Sequence, residues 1–393
     1  MNTLLIVAAA IFAGLLVSRL ARLIGLPNVT AFLVAGLLIG PFLAGILDRE
    51  AVRSLSVISD MALGFIAFSI GSEFKLDNLK KIGKGPLTIT VFQGLTTAAL
   101  IDLGLILLGF SVPESLLLGA IGLATAPAAT LMVIRQYKAK GPVTSMLLPV
   151  VAMDDALGLM VFSISSSVAS ALLGGEITLS AMLLGPVIEI LGSLLCGTVL
   201  GFLLSFCAGF FRSRGNKLAL TLAAVLAGVG LCAVLNLSSL LVCMMIGAVA
   251  ANFCRQEAVI VEQTDRFTPP LFLLFFVLSG AGLDLSVLPT VGLLGAAYLI
   301  LRSLGKWLGA LLGAAAVHAD GNVRKYLGLT LLPQAGVAIG MSTLVTARFS
   351  QYGGIASRIS AVVLAATLIY ELVGPVITKI ALIKAGEIPA EAK

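Results

Sequence analysis

Two adjacent carboxylates, Asp154 and Asp155, sit in the run Pro149-Val150-Val151-Ala152-Met153-Asp154-Asp155-Ala156-Leu157-Gly158-Leu159, inside an apolar stretch long enough to cross a bilayer. A second apolar stretch holds two cations one helical turn apart, in Leu301-Arg302-Ser303-Leu304-Gly305-Lys306. A third holds Glu371. Charge at the middle of a bilayer costs several kcal/mol, so such groups rarely meet lipid and instead mark ion paths or proton relays. A carboxylate can hold a proton or a hard cation, and a hard cation wants further oxygen ligands. The Thr125 hydroxyl and carbonyls freed in Ala124-Thr125-Ala126-Pro127 are candidates to supply them. Adjacent helical positions point about 100° apart, so the two aspartates cannot both face one partner. One is expected to face a water-filled cavity while the other turns into the protein.

This chemistry presupposes a membrane, and the composition supplies one. Of 393 residues, 59% are hydrophobic and only 11% charged; soluble domains carry about 25% charged residues. The net charge of +6 comes without a basic run or aromatic interleaving, so no nucleic-acid partner is expected. Cys196, Cys207, Cys232, Cys243 and Cys254 lack metal-ligand spacing and read as small hydrophobes. The start, Met-Asn-Thr-Leu-Leu, has no basic n-region, which favours a retained first helix over a cleaved leader.

Thirteen hydrophobic segments follow one another, at about 3–18, 29–46, 55–71, 87–110, 114–134, 143–173, 179–211, 218–235, 240–253, a stretch after Pro269-Pro270 ending near 282, 287–317, 326–346 and 359–383. Segment 5 is interrupted at Pro127, and segment 12 at Leu332-Pro333-Gln334-Ala335-Gly336. Proline removes a backbone donor and clashes with the preceding turn; each break lies among small residues and is followed by a segment carrying buried acid. Residues 1–173 and 217–393 are therefore expected to form two inverted six-helix repeats, joined by a linker helix at 174–216, with the broken helices crossing near the midplane to make an ion site. With the N-terminus outside and the C-terminus cytoplasmic, nineteen Lys and Arg fall in inside loops and the tail, against Arg49, Arg53, Arg348 and Arg358 outside. That asymmetry is the positive-inside signal.

On these residues the chain resembles the bacterial cation:proton antiporters, specifically the second branch of the monovalent cation:proton antiporter superfamily and its electrogenic Asp-Asp type. The resemblance rests on Asp154-Asp155, the preceding Thr-Ala-Pro break and Lys306. It rests also on Phe68-Ser69-Ile70-Gly71-Ser72-Glu73-Phe74 and Leu332-Pro333-Gln334-Ala335-Gly336-Val337. It implies an all-α polytopic membrane protein of the sodium/proton antiporter fold, without enzymatic activity or cofactor, set in lipid in a bacterial inner membrane as a homodimer. Segments 4–6 and 11–13 would form a mobile core and the outer helices a dimerisation scaffold. Na⁺ or Li⁺ and H⁺ would be the substrates, competing at Asp155, while Asp154 pairs with Lys306. If sodium draws Asp154 away, the lysine can lose its proton, so that two protons exchange for one sodium, the groups titrating as a coupled set.

Blander roles stand beside these. Lys306 can be a structural tie, and Arg302 is expected to tie down helix ends or Glu371, itself a structural acid paired with a cation. Asp60, Asp102 and Glu189 lie toward segment ends and suit interfacial solvation. His318 and the charged loop from Glu73 to Lys84 read as solvated, although a histidine there could sense pH. Three other functions fit less well. A potassium/proton antiporter of the same fold differs in its ion dependence; potassium efflux members with a nucleotide-binding domain resemble the chain less, since about ten residues follow segment 13. A sodium-coupled organic-anion symporter has no need of a buried lysine paired to two acids. An intramembrane aspartyl protease takes its two aspartates from different helices and carries a Gly-x-Gly-Asp sequence, absent here.

Overall fold

The computed structural model describes residues 3–76, 83–174, 179–235, 237–283, 288–289, 291–352 and 354–389. They form helices and turns, with no strand among them. The helices are α1 (Thr3–Leu23), α2 (Asn28–Ile39), α3 (Arg49–Ser54), α4 (Ser56–Ser72), α5 (Gly85–Leu107), α6 (Val112–Gly122), α7 (Pro127–Tyr137) and α8 (Pro142–Leu172). There follow α9 (Leu179–Ala208), α10 (Arg214–Leu235), α11 (Ser239–Phe253), α12 (Glu257–Ala281), α13 (Gly292–Ala316), α14 (Gly321–Thr330), α15 (Gly336–Phe349) and α16 (Ile355–Lys384). Eight spans among the described residues are long and apolar enough to cross a membrane, with the broken pair Val112–Tyr137 counted as one. α1 shows the reason: only a stripe at Ile6, Ala10, Gly14, Ser18 and Ala21 is buried, while Leu4 and Phe12 stay 78% and 70% exposed. So wide an apolar face outside the core marks a membrane or protein contact surface.

Each segment finds a helix or a broken helix, with the start of segment 10 and the end of segment 2 corrected. Segment 10 does not begin after Pro269-Pro270; α12 starts twelve residues earlier and runs through both prolines. Its first half carries Glu257, Glu262, Asp265 and Arg266, so hydropathy does not reveal it, although Glu262 and Arg266 pair one turn apart at 2.6 Å. α2 stops at Ile39, ahead of Pro41, because the residue before a proline is pushed out of the helical region. In the charged loop, residues 77–82 lie outside the described residues, as does Lys393.

Two compact units divide the chain. One comprises Met1–Gly25, Ala31–Gly83 and Val187–Gly282; the other comprises Leu26–Thr30, Lys84–Pro186 and Leu283–Lys393. In the first, α4 packs on α11 at backbone distance, Gly71 facing the carbonyl of Met244 and Gly247 that of Phe68. The second gathers segments 4–6 and 11–13. Its central pair is α5 and α13, which lie antiparallel along a glycine ladder. A Cβ at Gly305 would come within 2.7 Å of the Thr97 Cα, one at Gly309 within 2.5 Å of the Gln93 Cα and one at Gly313 within 2.8 Å of the Ile89 Cα. Small residues every fourth position let membrane helices approach this closely.

Candidate functional site

Both breaks lie in the second unit, beside α13. The chain leaves helical geometry after Gly122 and resumes at Pro127, which occupies the start of α7, where its missing N–H costs nothing. On the other side it leaves after Thr330 and resumes at Gly336, past Pro333. The breaks touch directly, the Ala126 N–H donating to the Pro333 carbonyl at 2.8 Å. Each break frees carbonyls that must find donors if buried. Arg302, fully buried, donates from Nε to Gly122 O (2.9 Å), from Nη2 to Ala124 O (2.7 Å) and from Nη1 to Leu332 O (2.7 Å). Its guanidinium carbon sits 4.5 Å over the Tyr370 ring, a favourable cation–π placement. Gln334 Nε2 donates to Ile121 O at 3.1 Å and meets the Tyr298 hydroxyl at 2.9 Å.

Lys306, also fully buried, completes the set. Its Nζ donates to Asp154 Oδ2 at 2.9 Å, to Thr125 Oγ1 at 2.8 Å and to the Leu123 carbonyl. An ammonium has three N–H bonds, and all three are used. Asp154 is as well furnished, with Thr125 Oγ1 donating to its Oδ2 at 2.5 Å and Gln93 Nε2 donating to its Oδ1. A buried pair withstands desolvation only when its remaining bonds are satisfied in this way. Asp155 differs. It is 6% exposed, and its Oδ1 is buried with no hydrogen-bond partner among the described residues. An acceptor left open in this way is chemically suited to a proton or a cation.

Of the residues singled out in the sequence, Thr125, Asp154 and Lys306 thus meet in one cluster, with Arg302 bracing it and Pro127 and Pro333 making the breaks. Of the break carbonyls offered above as cation ligands, that of Ala124 already accepts from Arg302, and those of Ile121, Gly122 and Leu123 just before it accept from Gln334, Arg302 and Lys306. The Thr125 hydroxyl is likewise engaged with the Asp154–Lys306 pair. Glu371 is 4% exposed and has no ion-pair partner among the described residues, since the guanidinium expected to reach it is spent on the carbonyls. Asp102 is half-buried, its Oδ1 buried without a hydrogen-bond partner among the described residues and packed on Gly119, in place of the interfacial solvation expected. Asp60 and His318 are exposed and Glu189 is half-buried.

Two residues escaped the sequence reading. Gln93 is one. Glu387, in the tail after α16, is the other: its carboxylate is 4% exposed and accepts from Val143 N (2.5 Å), Thr144 N (2.8 Å) and Thr144 Oγ1 (2.6 Å) at the start of α8. Gly141 leaves the room it needs. A glutamine in an apolar run and a glutamate in a short tail carry no pattern of their own. Among the described residues no group of three His, Cys, Asp or Glu is placed to hold a metal ion.

A helical bundle with bilayer-length spans, two touching helix breaks and a buried charge cluster between them has the build of a polytopic membrane transporter. The chain belongs to the sodium/hydrogen exchanger family, whose transmembrane domain it matches over residues 7–384; this is a family of transporters, not enzymes. It is 25% identical over 300 residues to the high-affinity Na⁺/H⁺ antiporter NhaS3 of Synechocystis, covering 72% of this chain and 63% of that protein. It is 23% identical to the K⁺/H⁺ antiporter subunit KhtU of Bacillus subtilis, covering 95% and 92%. The chain thus spans less than two thirds of the cyanobacterial relative. Its fold matches that of the sodium/proton antiporter MjNhaP1 from Methanocaldococcus jannaschii with a TM-score of 0.74, at 19% identity, over 98% of each chain.

Proposed function

We propose that this protein is a secondary-active antiporter that exchanges Na⁺ or Li⁺ for H⁺, the two competing for the Asp155 carboxylate as the site is exposed alternately to the two sides of the membrane. The observation that carries the reading is the contrast within the aspartate pair. Asp154 accepts from Lys306, Thr125 and Gln93, whereas Asp155 keeps a buried oxygen without a hydrogen-bond partner among the described residues. Competition at one carboxylate is sufficient for antiport, provided the empty site does not cross.

Lys306 is the second proton carrier in this scheme. With Asp155 and Lys306 protonated, the four charged groups Asp154, Asp155, Arg302 and Lys306 sum to +1. With Na⁺ on Asp155 and Lys306 deprotonated, they sum to zero. One charge therefore moves per cycle of two protons for one cation, and the exchange is electrogenic. Arg302, which does not lose its proton, balances Asp154 while the lysine is neutral.

The inverted repeats at residues 1–173 and 217–393 about a linker at 174–216, the homodimer, and a bacterial inner membrane setting with the C-terminus cytoplasmic belong to the same reading. The Ala126–Pro333 contact between the breaks supports the repeats. Orientation is supported by the convergence of the basic ends of the second unit. Glu387 ties the tail to the start of α8, and Asn322 Nδ2 donates to Ala385 O at 3.2 Å. These segments carry Lys138, Lys140, Arg324, Lys325 and Lys384.

Purified protein in proteoliposomes, challenged with Na⁺, Li⁺ and K⁺ under an imposed pH gradient, tests the function. Na⁺ and Li⁺ should dissipate the gradient, and Asp155→Asn should abolish the response. Undiminished exchange by that variant removes Asp155 from the site. A response to K⁺ alone favours a potassium/proton antiporter, the second reading, which the near full-length match to the Bacillus relative supports.

A further inference from the structure

We propose that Gln93 is a positioning residue for the exchange: its amide pins Asp154 to α5, so that Asp154 stays in place as a counterion and Lys306 is the member of the pair that changes partners. This rests on the reading of Asp155 as the exchanging carboxylate.

Gln93 is fully buried near the middle of α5. Its Nε2 donates to Asp154 Oδ1, the oxygen that Lys306 and Thr125 do not use. Turning the amide over would set its oxygen against the carboxylate, so the nitrogen must face Asp154. The backbone beneath is held from two sides. The Thr97 hydroxyl donates to the Gln93 carbonyl at 2.5 Å, and the absence of a side chain at Gly309 lets α13 reach the Gln93 Cα. Asp154 is thus gripped from α5, from the first break and from α13. When Lys306 lets go, two neutral donors remain, and a swing of Asp154 toward a cation would have to break both.

The other end of the same amide argues against a merely structural role. Gln93 Oε1 is buried with no hydrogen-bond partner among the described residues. An unsatisfied buried acceptor lowers stability, a cost that an apolar side chain of the same length would not carry. What the apolar side chain lacks is the donor to Asp154.

Gln93→Met separates the two roles because it keeps the shape and removes the donor. The expected result is a turnover about tenfold lower, the loss of one hydrogen bond to a charged group. KM for the transported cation should stay within about twofold, because Asp155 is untouched. The protein should remain fully folded at the assay temperature, so that the loss is read on intact protein even where the midpoint falls because Asp154 Oδ1 loses a donor. Gln93→Asn, polar but too short to reach Asp154, should show the same loss of turnover. Wild-type turnover in either variant overturns the proposal. So does a loss of turnover in both variants that matches a loss of folded protein at the assay temperature or comes with a KM raised severalfold, which marks a structural residue. Wild-type protein measured alongside keeps the questions apart: absence of exchange there removes the proposed function, whereas exchange by the wild type and undiminished exchange by the variants removes only Gln93.

Discussion

Lys306 has three N–H bonds to place and finds three acceptors, Asp154, Thr125 and Leu123. One residue along α8 from Asp154, Asp155 holds an oxygen that finds no hydrogen-bond partner among the described residues. Neighbours in sequence, the two carboxylates differ because successive helical positions face different surroundings. The difference has a kinetic consequence. If H⁺ and Na⁺ compete at Asp155, protons raise the apparent KM for Na⁺, and at the acid end KM should climb toward tenfold per pH unit where Asp155 alone titrates and toward a hundredfold where Na⁺ binding also releases the Lys306 proton. Toward alkaline pH it should level off. Initial rates of exchange at several Na⁺ concentrations and pH values measure this. A KM indifferent to pH, with only the maximal rate varying, would rule out a shared site. The carboxylates and the lysine were legible as charges stranded in apolar runs. Gln93 was not, because an uncharged amide leaves no trace in hydropathy or in charge counting.

At the scale of elements, α13 is a strut. Its glycines bring it against α5, and its two cations satisfy carbonyls on both breaks. The breaks were readable from proline and small residues; that their carbonyls go to Arg302 and Lys306 depends on contacts 30 to 183 residues apart in the chain. The start of α8 is finished from a comparable distance by Glu387, which supplies acceptors to N–H groups that a helix leaves unpaired in its first turn, and places negative charge where the helix dipole favours it. Glu387→Ala is expected to cost about 2 kcal/mol, the range of a lost cap and charged hydrogen bonds. It should lower the thermal midpoint in detergent, while Glu387→Gln, still an acceptor, should recover part of the loss. An alanine variant as stable as the wild type would show the tail contact to be dispensable.

For the whole molecule, the family match runs almost end to end, and the charge balance of the cluster makes a prediction that belongs to no single residue. Two protons against one cation move one net charge, and each charge crossing the membrane is worth about 2.3 kcal/mol per 100 mV. An imposed potential should therefore drive exchange with no ion gradient present, in a direction that reverses with the sign of the potential. Proteoliposomes with a potassium-diffusion potential, read by a pH-sensitive dye for H⁺ movement coupled to Na⁺, provide the measurement. Exchange that ignores the potential would reject the two-proton scheme and leave one-for-one antiport at Asp155.

The sequence by itself determined that the chain lives in a bilayer, where most of its helices lie, which two of them break, and which buried charges are too costly to be incidental. These follow from local quantities: apolar length, proline, and the energy of a charge in hydrocarbon. Which carboxylate is saturated and which stays open, where Arg302 spends its donors, and how Gln93 and Glu387 take part were decided only by tertiary structure. Hydrogen bonds between buried groups are chosen by three-dimensional proximity, and residues such as Gln93 and Asp154, 61 positions apart, become neighbours only when α5, α8 and α13 have packed.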